Sequence, residues 1–140
     1  MEMSSSMLSR MSHVLGIKLS SELDTLRLVT EGIAPKTYRH AAQALKLKAN
    51  IVAPESTVRR RLGNNTRFST EESERVVRLA RVYAEALGLF GDEGAALDWF
   101  TTPAEFLKNL PPVSPMELSA TDVGARLVES HIQRTAHGFL

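Results

Sequence analysis

From Ser69 to Gly91 the apolar residues Val76, Leu79, Ala80, Tyr83 and Leu87 return at steps of three and four. A strand alternates at every second residue, so this spacing fits one face of a helix. Ser69 stands just before the run and Glu72 three residues later, the reciprocal pair that satisfies free amides at a helix start. Gly88 or Gly91 is placed to stop it. The stretch predicts a helix of about five turns. A rod of that length needs covering along its apolar side, so shorter segments must pack on it.

Those segments read as helices too. Residues 1–15 read as a loose N-terminal tail, without the basic-then-apolar order of a secretory signal. Ser21 and Asp24 fit a capping box, with Leu19, Leu23 and Leu26 at helical spacing, ended by Gly32 and Pro35. A second helix is expected from near Pro35 to Leu47, with Tyr38, Ala41, Ala42 and Leu45 on one face. Asn50 to Ala53 reads as a short turn, and Glu55 to Leu62 as a third helix anchored by Ile51 and Val58 and broken at Gly63-Asn64-Asn65. Beyond the long helix, Gly94 to Phe100 is a further helix. Thr102-Pro103-Ala104-Glu105 and Ser114-Pro115-Met116-Glu117 each place a cap, a proline at the first helical position and an acid in order, so each predicts another helix. Thr121 opens the last, which carries Val123, Leu127, Val128 and Ile132 up to Gly138. No period-two run appears, so the fold class is all-α.

Charge divides the chain. Lys36 to Arg67 holds eight basic residues and one acidic, a net +7, whereas Phe68 to Leu140 holds six basic and eleven acidic, a net −5. The overall charge of +1 conceals both. Two short helices joined by a tight turn, the second one basic, is the layout of a helix-turn-helix. On that reading Ser56, Thr57, Arg59, Arg60 and Arg61 face the major groove, where an arginine fork takes guanine O6 and N7 together. Lys46, Lys48 and Arg67 hold phosphates and set register.

Other chemistry is missing. The chain has no cysteine, hence neither a disulfide framework nor a thiolate metal site, which fits a reducing, cytoplasmic setting. No stretch approaches the roughly 18 apolar residues of a membrane span. His131 and His137 lie six apart, where ligands on one helix need i, i+4 spacing. Phosphate-cradling glycine loops are absent, so neither an enzyme nor a cofactor is expected. Trp99 and Phe100, side by side, are core or interface anchors, and Phe139-Leu140 belongs packed on its own domain or against a partner.

The run Ser73-Glu74-Arg75-Val76-Val77-Arg78-Leu79-Ala80-Arg81 resembles the pattern S-x-R-x-x-R-L-A-R. It is followed by Phe90-Gly91-Asp92, Ala96-Leu97-Asp98-Trp99-Phe100, Thr102-Pro103, Pro115-Met116-Glu117-Leu118, Thr121-Asp122-Val123-Gly124-Ala125 and His137-Gly138. Upstream, Ser56-Thr57-Val58-Arg59-Arg60-Arg61-Leu62 is similar to a helix-turn-helix signature. In this order the pieces resemble the Xre–MbcA–ParS toxin-binding family of antitoxins, over about Lys36 to Leu140. The resemblance implies an antitoxin of a type II toxin–antitoxin system, paired with a RES-domain toxin that consumes NAD. It further implies a homodimer that represses its own operon. It assigns 16–67 to a DNA-binding region, joined by the long helix to a toxin-binding domain at 68–140. Trp99 and Phe100 then help build that domain. Arg126, Leu127, Ser130, His131, Arg134, His137, Gly138, Phe139 and Leu140 face the toxin's cleft. Ala120 and His131 depart from the family pattern, where larger aliphatics stand. The competing reading is a stand-alone helix-turn-helix regulator whose C-terminal half dimerises or senses a ligand.

Overall fold

Local signals and burial agree best in the longest helix. The computed structural model describes residues 3–138. The described residues form eight helices: α1 (Ser5–Leu15), α2 (Glu22–Glu31), α3 (Pro35–Leu45), α4 (Glu55–Asn64), α5 (Thr70–Phe90), α6 (Glu93–Thr101), α7 (Pro115–Leu118) and α8 (Asp122–Ala136). Among them there is no β-strand, only one antiparallel bridge between Ala104 and Val113, so the fold is all-α. None of the helices is long and apolar enough to cross a membrane.

Helix α5 begins with the full capping box: Ser69 Oγ accepts from the Glu72 amide, and the Glu72 carboxylate accepts from the Ser69 amide. It ends at Gly91, whose φ of 71° is left-handed. Between these ends Val76, Leu79, Ala80, Val82 and Tyr83 are buried. Helices α1, α2, α3, α6 and α8 all pack on it, and α7 packs against α6 and α8. The buried residues form one continuous cluster, from Leu8 in α1 to Ile132 in α8.

Three expectations are corrected. The expected tail contains α1, whose Leu8, Met11, Val14 and Leu15 enter the core. Ser4 caps it, and Arg10 Nε donates to the Ala84 carbonyl at 2.9 Å, pinning α1 to α5. Its serines hid this helix: Ser5, Ser6 and Ser9 face water while every third or fourth residue is apolar. The segment after Thr102 is not a helix but an extended loop closed by the Ala104–Val113 bridge. A cap and a proline can start a helix, but Leu107 and Leu110 find nothing to pack on and stay exposed, so no face stabilises it. Leu23, Leu26 and Val123, all expected to face inward, are 57 %, 58 % and 79 % exposed. In their places Thr25 turns inward from α2, and Gly124 and Ala125 from α8.

Smaller differences have local causes. The Ser21 side chain makes no capping bond, and Asp24 instead accepts from the Ser20 amide at 2.8 Å. Helix α4 runs through Gly63 and ends at Asn65, which takes the left-handed conformation with φ 52°. Ile51 and Val58 are only half-buried, and the inward anchor of that segment is Val52 at 2 %.

Candidate functional site

Helix α4 has no fully buried residue; Val58 and Leu62 pack half-buried against the core. Arg61 adds a polar clamp. Its Nε donates to Glu72 Oε1 at 2.7 Å and its Nη2 to Glu72 Oε2 at 3.3 Å, a two-point clamp onto the first turn of α5. The guanidinium also lies 6.0 Å from the Phe68 ring centre, and Phe68 stacks on Tyr38 of α3 at 4.6 Å. Burial works against the Glu72 charge, but bonds from the Ser69 amide and Arg61 outweigh it and hold the carboxyl below its ordinary range. At the other end of α4, Asn50 Oδ1 accepts from the Glu55 amide at 2.8 Å.

Of the residues expected to meet DNA, the fold brings together Ser56, Arg59 and Arg60 on the exposed side of α4, with Thr57 half-buried beside them. Arg59 is paired at its own surface with Glu55, at 3.4 Å. Arg60 has no ion pair among the described residues. Arg61 is turned away into the clamp. Arg67 is exposed but donates to the Gly32 carbonyl at 2.7 Å. Lys46 is exposed at the end of α3, in a left-handed conformation. Lys48 reaches across to Glu117 of α7 at 3.1 Å, and that bond holds the Glu117 carboxyl below its ordinary range. The connection between α3 and α4 runs from Lys46 to Pro54, longer than the tight turn expected. Its middle is tied down by Arg75 Nη1, which donates to the Val52 carbonyl at 2.9 Å.

The second face is on α8. Arg126, Ser130, Arg134 and His137 recur at helical spacing, all exposed, and form one stripe. Arg126 is paired with Asp122 at 2.9 Å. Leu127 is half-buried; His131 lies to one side with its ring edge-on to Phe106 at 5.4 Å; Gly138 is exposed. Phe139 and Leu140 lie outside the described residues. Trp99 is half-buried and tilted against Phe90 at 5.9 Å, whereas Phe100 is fully buried, edge-on to Tyr83 at 5.8 Å. Phe100 therefore belongs to the core and is closed off from any partner. No group of histidines and carboxylates among the described residues is arranged to hold a metal ion.

What orients the stripe is a three-residue polar cluster that sequence reading missed. Arg81 of α5 donates from Nε and Nη2 to both Glu129 oxygens of α8, each at 3.0 Å. Glu85, one turn along α5, shares the site. Burial first, then its bond to the Glu129 carboxylate, pushes the Glu85 carboxyl from 4.5 to about 8, so it keeps its proton at neutral pH and donates to Glu129. A folded-state value above the unfolded one stabilises the protein at low pH and is lost as pH rises. The protein should thus lose stability between 4.5 and about 8. Glu85→Gln keeps a neutral donor and should flatten that slope, by about 1–2 kcal/mol at its upper end. Melting temperatures of both chains across this range check it; parallel curves would place the titration elsewhere.

No family model matches the chain. It is 42 % identical over 93 residues to a protein named Antitoxin Xre from Yersinia enterocolitica, a match covering 66 % of this chain and 60 % of that one. This likeness supports an Xre-type antitoxin family for the chain. A second Antitoxin Xre, from Pseudomonas putida, is 25 % identical over 135 residues, or 94 % of this chain and 83 % of the relative. A third, from Photorhabdus laumondii, is 34 % identical over 82 residues, or 58 % and 53 %. The chain thus spans about 60 % of the length of its Yersinia relative. In this chain the basic helix and the α8 stripe are separate surfaces, each locked to the long helix by an arginine–glutamate clamp.

Proposed function

We propose that this protein is the antitoxin of a type II toxin–antitoxin pair, acting in the cytoplasm as a dimer. It binds a RES-domain, NAD-consuming toxin, covers the toxin's active site and represses its own operon by binding DNA. The likeness to Antitoxin Xre of Yersinia enterocolitica is the observation that carries this reading. The charge division supports it. The +7 segment from Lys36 to Arg67 suits a polyanion, with α3 bracing across the backbone and α4 entering the major groove. The −5 half would be repelled by DNA and suits a protein whose cleft must admit an anionic dinucleotide. The α8 stripe itself carries Arg126 and Arg134, so this matching belongs to the whole half rather than to the stripe. Neutralisation needs no chemistry: the end of α8, laid over the opening, excludes substrate sterically. Residues 16–67 serve DNA and 68–140 serve the toxin.

The test is co-expression with the RES-domain product of the adjacent reading frame. The toxin alone should arrest growth, and the pair should grow and co-purify. A chain that binds its promoter but captures no such protein would be a stand-alone regulator instead. Arg60, the arginine of α4 without an ion pair among the described residues, gives the DNA prediction. Arg60→Ala should weaken operator binding by about 1–3 kcal/mol, the worth of one base contact, and leave co-purification unchanged. Fluorescence anisotropy at fixed salt measures this. An unaltered affinity would take α4 out of the groove.

A further inference from the structure

Helix α2 presents two leucines to solvent where packing would be expected to hide them. Leu23 and Leu26 are each more than half exposed, while Thr25 and the half-buried Leu28 and Val29 face the protein. Beside the leucines, between α2 and α5, lies an apolar groove of about 630 Å³ floored by Met3, Val29 and Val77. A chain in water rarely leaves such a patch uncovered.

The flanking charges indicate what covers it. Glu22 and Arg27 are exposed on the same arc of α2 as the leucines, and neither side chain has an ion pair among the described residues. Leu23 and Leu26 are equidistant from the midpoint between Asp24 and Thr25, and so are Glu22 and Arg27. Two copies of α2 laid antiparallel about a two-fold axis through that midpoint would set Leu23 against Leu26 of the second copy. The same register sets Glu22 against Arg27 of the second copy, at both ends of the contact. An interface on a two-fold axis must be complementary to itself, with knob and groove, acid and base, all on one patch. This patch meets each condition. We propose that the α2 face is a homodimer interface, with leucines at its centre and reciprocal Glu22–Arg27 pairs at its ends. The proposal rests on the dimeric part of the reading above and assigns it a surface.

Sedimentation velocity over a dilution series of the full chain tests it. The wild-type chain should dimerise. Leu26→Glu should weaken association about a hundredfold by placing charge at the interface centre. Glu22→Arg and Arg27→Glu should each weaken it about tenfold by setting like charges opposite one another. The double variant Glu22→Arg/Arg27→Glu restores opposite charges and should return to near the wild-type affinity, an outcome that general destabilisation cannot produce. Far-UV circular dichroism of each variant confirms that it folds. A monomeric wild-type chain would overturn the proposal and the dimeric reading together. A dimer indifferent to Leu26→Glu would overturn this surface alone, and so would single-charge losses that the double variant fails to restore. No arm requires a toxin or DNA, so failure here leaves the antitoxin reading to its own test.

Discussion

Phe100→Ala is expected to destabilise the protein by about 3–5 kcal/mol, the cost of emptying a large aromatic site in a packed core. Phe100 is 0 % exposed and meets the Tyr83 ring edge-on at 5.8 Å. In α6 only Ala96 shares its full burial, with Leu97 and Trp99 half-buried beside it, so Phe100 is the largest fully buried anchor of α6. Helix α7 packs on α6 in turn, so the loss would loosen both. Urea unfolding followed by circular dichroism gives the size of the effect. Fluorescence of Trp99, the neighbouring half-buried residue, should shift to the red as α6 loosens. A cost below about 1 kcal/mol would mean that the site collapses around the gap and that α6 is held by other contacts.

Gly124→Ala pits two effects of opposite sign. Inside a helix, exchanging glycine for alanine ordinarily gains about 1 kcal/mol. Here an added Cβ would stand 1.8 Å from the Leu118 carbonyl oxygen and 2.9 Å from Thr121 Oγ1. The first of these atoms is backbone and cannot swing aside. Relief requires α8 to move off the turn that follows α7, which breaks the cap in which Thr121 Oγ1 accepts from the Gly124 amide at 3.0 Å. Overpacking of this kind outweighs the helix gain, and a net loss of about 3 kcal/mol is expected. Because the displaced element carries the α8 stripe, co-purification with the proposed toxin partner should fall as well. A rise in melting temperature would mean that the α7–α8 junction yields freely and that α8 is not held in one place.

The capping box and the apolar periodicity made α5 legible in the sequence, because both are local: Ser69, Glu72 and the apolar steps lie within one helix. The start of α8 at Thr121 and the cap of α7 at Ser114 were legible for the same reason. The charge division was legible because it needs only counting. Helix α1 was not, since its serine-rich stretch becomes a helix only when Met11, Val14 and Leu15 find α5 and α3. The loop after Thr102 failed in the opposite direction: a proper start signal led to no helix, because only Phe106 packs on the core while Leu107 and Leu110 stay exposed.

Sequence by itself determined that the chain is all-α, where its longest rod runs, and which parts are basic and which acidic. It left Arg59, Arg60 and Arg61 as three equal arginines, and Arg81, Glu85 and Glu129 as unrelated charges. Only the tertiary structure decided that Arg61 clamps Glu72 while Arg60 faces water, that Glu85 holds a proton against Glu129, and that two leucines of α2 point outward. The reason is physical. Helix formation depends on neighbours a turn away along the chain, whereas the fate of a charged or apolar side chain depends on what the rest of the chain brings within a few ångströms of it.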